Sequence, residues 1–319
     1  LLEGNTDLVG LAQTGTGKTG TYIIAILQKI RPDIKSCQAM ILTPTRELTR
    51  QVYDEAVKLA TFTEITIGGH IGGYNRADSR GVDYLHNVRC EDVDGVKMYN
   101  SAPYREQIVI GTPGRIERLC SSKKLDMNEL NLVVIDEADK MFGQGFLDTT
   151  IKIFYTFEKG KVQMALYSAT IDAQIRNMCA EFMSNNCVHI TVPQERVATN
   201  NQTHYMANVE NEDGKLEMLR TIFKKTMTGQ VFIFCNRIHK IDMIERAVSE
   251  MGIAVSSMHS QKEQDERNRI VEEFRANRIK VLITTDVLAR GFDTIAELVI
   301  NYDILMEAEN YIHRAGRVG

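Results

Sequence analysis

A glycine-rich segment early in the chain could bind the phosphates of a nucleotide. It reads AQTGTGKT over residues 12–19 and differs from the phosphate-binding pattern GxxxxGK[ST] only by an alanine at the first glycine. Gly15 and Gly17 let backbone N–H groups turn toward an anion, and a helix starting at Lys18 would direct its positive dipole end at the same phosphates. We expect Lys18 to neutralise the β- and γ-phosphates and Thr19 to bind Mg²⁺.

Acidic residues at positions 136–139 form a second candidate. They follow the apolar run 132–135, which reads as a strand, and ligands gather at the carboxyl ends of strands in an open parallel sheet. A divalent cation would relieve the repulsion between adjacent carboxylates, so Asp136 suits Mg²⁺. Glu137 could then orient and deprotonate an attacking water. Such residues alone more often begin a helix, but the phosphate-binding segment favours the catalytic interpretation.

Short apolar runs that alternate with amphipathic segments must position these groups. The predicted strands span residues 39–43, 108–110, 132–135, 164–167, 231–234, 254–256, 281–284 and 298–300. Near-continuous apolar strands between helices are typical of parallel sheets covered on both faces, which is the α/β class.

Two domains are expected, because 319 residues exceed one typical core. The segment 192–202 is polar, contains Pro193 and breaks the alternation of strands and helices, so it is the predicted linker. We therefore predict domains at 1–191 and 203–319. The long polar stretch 76–106 predicts a surface insertion.

Composition excludes several classes of protein. With 43% hydrophobic and 25% charged residues, the chain is not disordered, collagenous or a disulfide scaffold, and its apolar runs fall short of the ~18 residues that span a bilayer. The net charge of −4 confines any nucleic-acid contact to a local groove. Six cysteines without a CxxC pair predict free thiols in a reducing compartment, the cytoplasm or the nucleus.

Further motifs extend the pattern along the whole chain. They are PTREL at 44–48, GG at 72–73, TPGR at 112–115, SAT at 168–170, DVLARGFD at 286–293 and HRAGR at 313–317. Together with the phosphate-binding motif and the acidic motif, they resemble the motifs of the DEAD-box ATP-dependent RNA helicases. The resemblance covers nearly all of that family's two RecA-like domains, and the motifs occur in the family's order. Within the family, the segments 26–28, 38–39 and 299–303 are most similar to translation initiation factor 4A.

The resemblance implies an activity and its partners. Two RecA-like parallel-sheet domains on a flexible linker would close on ATP, Mg²⁺ and RNA, and hydrolysis would drive local duplex unwinding or RNP remodelling, with translation initiation as the candidate pathway. RNA would be held through its backbone without sequence specificity. We also expect protein partners, no membrane association, a monomer and a cytoplasmic location, with the nucleus as the alternative.

The resemblance also assigns roles to individual residues. The implied catalytic residues are Lys18, Glu137, Arg314 and Arg317, the last two as arginine fingers. The implied nucleotide-binding residues are Ala12, Gln13, Thr14, Gly15, Thr16, Gly17, Lys18, Thr19, Asp136, Gly291 and Asp293, of which Thr19 and Asp136 would hold the metal. The implied RNA contacts are Pro44, Arg46, Gly72, Gly73, Thr112, Pro113, Gly114, Arg115, Gln264, Arg267 and Thr284. The implied coupling residues are Ser168, Ala169, Thr170, Asp139, Arg290 and His313.

The chain departs from the family in a few places. The family's adenine-reading segment and the third arginine of its final motif would lie outside the printed sequence. Arg237 directly follows Asn236, where the family commonly has Asn-Thr-Arg, and the interval between Gly73 and Thr112 is longer than usual.

Two other functions remain open on the sequence. A P-loop ATPase could remodel proteins or move on DNA, and an ATP-dependent RNA clamp would keep the same residues with very slow turnover. Stimulation of ATP hydrolysis by RNA, with DNA as the comparison, separates the first of these from a helicase.

Overall fold

The computed structural model describes residues 6–12, 16–71, 84–86, 104–143, 145–158, 160–192, 202–226, 229–285, 296–303, 311 and 314–318. The chain divides into two compact units, an N-terminal unit of residues 1–197 and a C-terminal unit of residues 198–319. The division falls inside the range 192–202. The domain boundaries and the linker stay predictions.

The N-terminal unit alternates strands with helices. Its described strands are β1 (Leu8–Leu11), β2 (Ala39–Leu42), β3 (Ile67–His70), β4 (Tyr84–His86), β5 (Ile108–Gly111), β6 (Leu132–Ile135), β7 (Gln163–Ser168) and β8 (Val188–Thr191). Its described helices are α1 (Lys18–Lys29), α2 (Arg46–Leu59), α3 (Pro113–Ser121), α4 (Ala138–Gly143), α5 (Leu147–Phe154) and α6 (Ala173–Phe182). In the C-terminal unit the described elements are α7 (Glu212–Thr226), β9 (Val231–Phe234), α8 (Ile238–Ser249), β10 (Val255–Met258), α9 (Gln264–Arg275), β11 (Val281–Thr284) and β12 (Leu298–Asn301).

The sheet of the N-terminal unit runs in the order β4-β3-β5-β2-β6-β7-β1-β8. Every neighbouring pair is parallel except β3 and β4. Successive residues of β2 enter different cores, because Met40 and Leu42 belong to the apolar cluster on one face and Ala39 and Ile41 to the cluster on the other. A strand buried on both faces reads as a continuous apolar run, and so β2 was recognisable in the sequence.

The sheet of the C-terminal unit has the order β10-β11-β9-β12, and all its described strands are parallel. It too has apolar clusters on both faces, with Ile233 in one and Phe232 and Phe234 in the other. The predicted α/β class with two parallel-sheet domains is confirmed. Among the described helices, none combines the length and hydropathy that crossing a membrane requires.

Strand β3 was missing from the predicted strands because two glycines interrupt its apolar pattern. Gly68 has a packing reason: a Cβ there would lie 2.9 Å from Glu106 Cγ and 3.0 Å from His70 Nε2. Glu106 and His70 are both buried beside this glycine, with Glu106 Oε2 at 4.0 Å from His70 Nε2. Burial raises the pKa of the Glu106 carboxyl to about 7.

Replacement of Glu106 by Gln should make the protein less sensitive to pH. The folded protein keeps a proton on Glu106 that the unfolded chain releases near pH 4.5, so the wild type loses stability as pH rises through about 7. The free energy of unfolding of Glu106→Gln, measured relative to that of the wild type, should therefore be up to about 3 kcal/mol higher at pH 8 than at pH 5. Urea denaturation at both pH values measures this. Glu64→Gln, at an exposed position before β3, is the control, and an equal gain in both variants would contradict the assignment.

Candidate functional site

Strands β6 and β1 of the N-terminal unit carry the predicted nucleotide motifs at their carboxyl ends, and β7, which lies between them, carries the predicted coupling motif. Ala12 follows β1, and its N–H donates to the carbonyl of Ser168, the last residue of β7, at 3.1 Å. Asp136 follows β6, and its N–H donates to the Leu42 carbonyl of β2 at 2.9 Å. These bonds fix where the motifs leave the sheet.

The phosphate-binding segment turns directly into α1. Gly17 is the N-cap and has φ +83°, a left-handed conformation that glycine adopts without a steric penalty. A glycine cap has no side chain to occupy the first N–H groups of the helix, which leaves them for a ligand. Lys18 Nζ donates to the Ala12 carbonyl at 2.5 Å across the turn. The predicted residues Gln13, Thr14 and Gly15 lie outside the described residues.

Asp136 is a buried carboxylate with two donors. Tyr22 Oη donates to Asp136 Oδ2 at 2.8 Å, and the Glu137 N–H donates to Asp136 Oδ1 at 2.9 Å. Burial, followed by the Glu137 charge, raises the pKa of Asp136 to about 6, while Lys18 and Tyr22 oppose this rise. Burial and then Asp136 raise the pKa of Tyr22 well above its usual value, and the nearby Thr19 side chain opposes this rise. The structure therefore brings together the ammonium, hydroxyl and carboxylate that the sequence proposed for one site.

Glu137 has an unusual backbone. Its φ is +50°, in the left-handed region that a residue with a side chain seldom adopts. Lys140, one turn later on α4, donates to Glu137 Oε1 at 2.6 Å, and both side chains are almost completely buried. Strained backbone of this kind clusters at functional sites, where the surrounding structure holds it in place.

Asp139 and Ser168, predicted as coupling residues, contact each other. Ser168 Oγ donates to Asp139 Oδ1 at 2.8 Å, and the Asp139 N–H donates to Ser168 Oγ at 3.2 Å. The end of β7 is thereby tied to the start of α4, the helix that carries the acidic motif. Ala169 and Thr170 follow directly and are half-buried.

The residues present fit a magnesium ion bound together with a triphosphate. Thr19 and Asp136 offer hard oxygen atoms near Lys18, and the buried Asp136 carboxylate gains from a nearby cation. Within the part of the chain that the structure describes, no cluster of three or more His, Cys, Asp or Glu could hold a metal by itself. This agrees with Mg²⁺ chemistry, in which substrate phosphates and water supply most of the ligands.

Two predicted RNA motifs of the N-terminal unit follow β2 and β5, in the other half of the same sheet edge. Pro44 is buried after β2, and Thr45 caps α2 by accepting the Leu48 N–H at 3.2 Å, which makes Arg46 its first residue. A Cβ on Gly111, at the end of β5, would lie 2.7 Å from the His70 carbonyl, so only glycine lets these strands end side by side.

After β5, Thr112 is the N-cap of α3, and Pro113 takes the first helical position. Gly114 and Arg115 follow in the first turn and are half-buried. The structure thus brings the segments at 44–46 and 112–115 to neighbouring strand ends. Gly72 and Gly73 lie outside the described residues.

In the C-terminal unit, the predicted RNA contacts differ in exposure. Gln264 is the first residue of α9, and its side chain is not among the described ones. Arg267 lies one turn later and is half-buried. Thr284 ends β11 fully buried, with its hydroxyl donating to the Thr285 carbonyl at 3.1 Å, so its side chain is not on the surface. The predicted residues Arg290, Gly291, Asp293 and His313 lie outside the described residues.

Arg314, predicted as one of a pair of arginine fingers, contacts three residues of its own unit. Its guanidinium donates to Asn301 Oδ1 at 3.0 Å and to Asn236 Oδ1 at 2.9 Å, and it lies 4.9 Å from the centre of the Phe234 ring. It is 2% exposed. Through these contacts Arg314 joins the ends of β9 and β12, and its role as a finger stays a prediction. Arg317, one turn later, is also buried in this unit.

Comparison with known proteins matches both units. Residues 1–178 match the family model described as DEAD/DEAH box helicase, and residues 214–319 match the helicase conserved C-terminal domain. The chain belongs to the DEAD/DEAH box helicase family. It is an ATP-dependent RNA helicase, which confirms the activity and the ATP use that the motifs implied.

Curated relatives of this helicase include the ATP-dependent RNA helicase eIF4A of Chaetomium globosum, 36% identical over 98% of this chain and 74% of that protein. The Aspergillus fumigatus eIF4A is also 36% identical, over 100% of this chain and 73% of its own length. The predicted likeness to initiation factor 4A is therefore confirmed.

Solved structures similar to the helicase include S. cerevisiae Dbp5 bound to RNA and ADP BeF3, with TM-score 0.81 and 27% identity over 98% of this chain and 76% of that one. A DEAD box protein from Methanococcus jannaschii has TM-score 0.52 and 27% identity, covering 98% of this chain and 78% of that one. These neighbours confirm the predicted RecA-like fold.

Sequence reasoning missed three residues that shape the helicase sites. Tyr22 lies four residues after Lys18 and Lys140 three after Glu137, so helical spacing places each pair on one face and could have revealed both. Asn236 was noted only as a departure from the family pattern. Its bond to Arg314 joins residues 78 apart, and no local pattern signals such a contact.

Arg314→Lys should destabilise the helicase. Lysine cannot reach two acceptors with one planar group, so the side-chain oxygen of Asn236 or of Asn301 loses its donor. We expect a loss of about 1–3 kcal/mol in the free energy of unfolding, measured by urea denaturation. The exposed control Arg237→Lys should stay within about 0.5 kcal/mol of wild type. Unchanged stability with reduced ATP hydrolysis would instead favour a phosphate-contacting role for Arg314.

Proposed function

We propose that this helicase is an RNA-stimulated ATPase whose nucleotide site is built on α1 and the ends of β1 and β6. The observation that carries the proposal is the meeting of Lys18, Thr19 and the buried, Tyr22-bonded Asp136 at one sheet edge. The triphosphate lies against the first turn of α1, where Lys18 exchanges its bond to the Ala12 carbonyl for phosphate oxygens.

Thr19 and Asp136 are the residues that would hold Mg²⁺. When bound, the ion neutralises charge on the phosphate oxygens and positions them for an in-line attack. Glu137 orients the attacking water and accepts its proton, since its carboxylate follows Asp136 directly and its strained backbone is fixed by Lys140. Arg317 is the proposed finger from the C-terminal unit, and Arg314 holds the helix turn that presents it.

RNA is proposed to bind along the ends of β2, β5 and β3 and at the start of α9. The first turns of α2 and α3 supply backbone N–H groups to phosphates, and Arg46, Arg115 and Arg267 add positive charge. Contacts to phosphate and 2′-hydroxyl groups select RNA without reading its sequence. The similarity to Dbp5, whose structure holds RNA, supports this proposal.

The two halves of the sheet edge are proposed to communicate through β2 and the Ser168–Asp139 contact. Strand β2 belongs to the RNA half, lies next to β6 of the nucleotide half and bonds to Asp136 through the Leu42 carbonyl. Binding of both ligands would draw the units together, complete the site with Arg317 and disrupt a short RNA duplex, and hydrolysis would release them. Shifting a two-state equilibrium from 1:99 to 99:1 needs about 5.5 kcal/mol of differential binding.

The names of its relatives support a proposal for the pathway and the cellular location of this helicase. We propose that the protein is a cytoplasmic monomer acting in translation initiation, as the name eIF4A suggests. Protein partners are proposed as well, since a solved complex holds Dbp5 with Gle1 and IP6.

Glu137→Gln tests the chemistry. Because glutamine cannot accept the proton from water, RNA-stimulated ATP hydrolysis should fall about 10²–10⁴-fold, while binding of ATP and single-stranded RNA stays at the wild-type level. The exposed control Glu158→Gln should keep full activity. A wild-type rate that single-stranded DNA raises as much as RNA does would favour the DNA-motor alternative. A rate that neither raises would refute the proposal.

Small-angle scattering tests the closure. RNA and ADP–beryllium fluoride added together should lower the radius of gyration toward the roughly 20 Å of a compact chain of this length, because both units then share the ligands. Lys18→Ala should keep the ligand-free value, since it removes the phosphate-binding ammonium. An identical scattering curve with and without both ligands would contradict closure.

A further inference from the structure

A cavity away from the nucleotide and RNA motifs holds two thiols. It measures about 270 Å³ and lies in the N-terminal unit between the end of α6 and the start of β8. Cys179, in the last turn of α6, and Cys187, just before β8, both line it, together with Met183 and Ser184 of the connecting turn. Both cysteines are half-buried, so reagents in solvent can reach this cavity.

The turn between the two cysteines is short and well fixed. The Met183 N–H donates to the Cys179 carbonyl at 2.9 Å, and the Cys187 N–H donates to the Ser184 carbonyl at 3.1 Å. Asp7, before β1, accepts the Ser184 N–H at 2.6 Å and so ties the turn to the sheet. The two thiols thus face one space from the two ends of a single tight connection.

The thiols are also close enough to influence each other. Burial and then the neighbouring Cys187 raise the pKa of Cys179 to about 11, and burial raises the pKa of Cys187 as well. At neutral pH both are protonated thiols. Cys187 is the less enclosed of the two, so it is the one that an external reagent meets first.

The other described cysteines provide a contrast. Cys37, Cys120 and Cys235 are buried, and Cys37 and Cys120 also lie within electrostatic range of each other. Their burial in the core keeps that second pair away from reagents in solvent. Among the cysteines that the structure describes, Cys179 and Cys187 are therefore the pair that is both close together and accessible to solvent.

We propose that Cys179 and Cys187 form a reversible disulfide by exchange with a low-molecular-weight disulfide such as glutathione disulfide. Cys187 loses its proton and its thiolate attacks one sulfur of glutathione disulfide, which breaks that S–S bond and releases one glutathione thiolate that takes up the proton. Cys179 then loses its proton and attacks the Cys187 sulfur of the mixed disulfide, which releases the second glutathione. Two protein thiols are oxidised, and one glutathione disulfide is reduced to two glutathione molecules.

The bond would join two elements with different roles. Helix α6 is capped by Asp172, which accepts the Ile175 N–H at 2.8 Å and comes two residues after Thr170 of the coupling motif. Strand β8 is the edge strand next to β1 and is exposed along its whole length. Oxidation would therefore restrain the segment that follows the coupling motif without touching a nucleotide-binding side chain.

Mass spectrometry of the full chain tests the proposal. Trypsin cuts after Arg176 and after Arg196 and nowhere between, so one peptide carries both thiols and no other cysteine. After treatment with glutathione disulfide, this peptide should be lighter by two hydrogen atoms and take no alkylating reagent in denaturant. Dithiothreitol should restore two alkylation sites, and Cys37 and Cys120 should stay reduced throughout. A peptide that keeps two free thiols, or carries only glutathione, would overturn the proposal.

Single variants test the order of the steps. In Cys179→Ser, Cys187 should stop at the mixed disulfide and retain one glutathione, while in Cys187→Ser the more enclosed Cys179 should stay largely unmodified. The rate on the wild type should rise about tenfold for each pH unit below the thiol pKa, because only the thiolate attacks. Modification of Cys179 at an equal rate in Cys187→Ser would contradict the proposed order.

Discussion

The buried carboxylate of Asp136 is the constraint around which the N-terminal unit is arranged. A carboxylate removed from water must be compensated by donors and positive charge, and here the Tyr22 hydroxyl, the Glu137 N–H and the Lys18 ammonium provide them. Each of these partners belongs to a segment that the nucleotide site needs in place. Satisfying one buried charge therefore also sets the position of α1 relative to the acidic motif.

The sheet distributes two tasks along one edge. Strands β1 and β6 end at the nucleotide motifs and β7, between them, at the coupling motif, whereas β2, β5 and β3 precede the segments proposed to hold RNA. Since neighbouring parallel strands are hydrogen-bonded throughout, neither half can move far without the other. The Ser168–Asp139 contact adds a side-chain link on the nucleotide half, where β7 meets the start of α4.

Much of the fold could be predicted because its central strands are apolar on both faces. The runs at 39–43, 132–135 and 231–234 all became strands, since burial on both sides leaves no place for polar residues. Strand β3 escaped prediction because its glycines serve packing, and β8 because its residues are exposed. Those two strands owe their pairing to neighbours far along the chain, which local pattern cannot supply.

The candidate site likewise contains some residues whose place could be predicted from the sequence and others whose place could not. Lys18, Thr19 and Asp136 were predictable because their motifs encode backbone shape as well as side-chain chemistry. The burial of Arg314 was not predictable, since its acceptors belong to strand ends that only the folded C-terminal sheet brings together. A motif thus indicates which residues matter, whereas the tertiary contacts decide whether a side chain contacts ligand or holds the framework.

The left-handed backbone of Glu137 implies a conflict between durability and reactivity at this position. A side chain in that region costs about 1–2 kcal/mol that glycine would not incur. Glycine would thus relieve the backbone strain, but it would leave the acidic motif without its proton acceptor. A substitution to glycine here would stabilise the fold but abolish ATP hydrolysis. Selection for the reaction is therefore what keeps a carboxylate at this position.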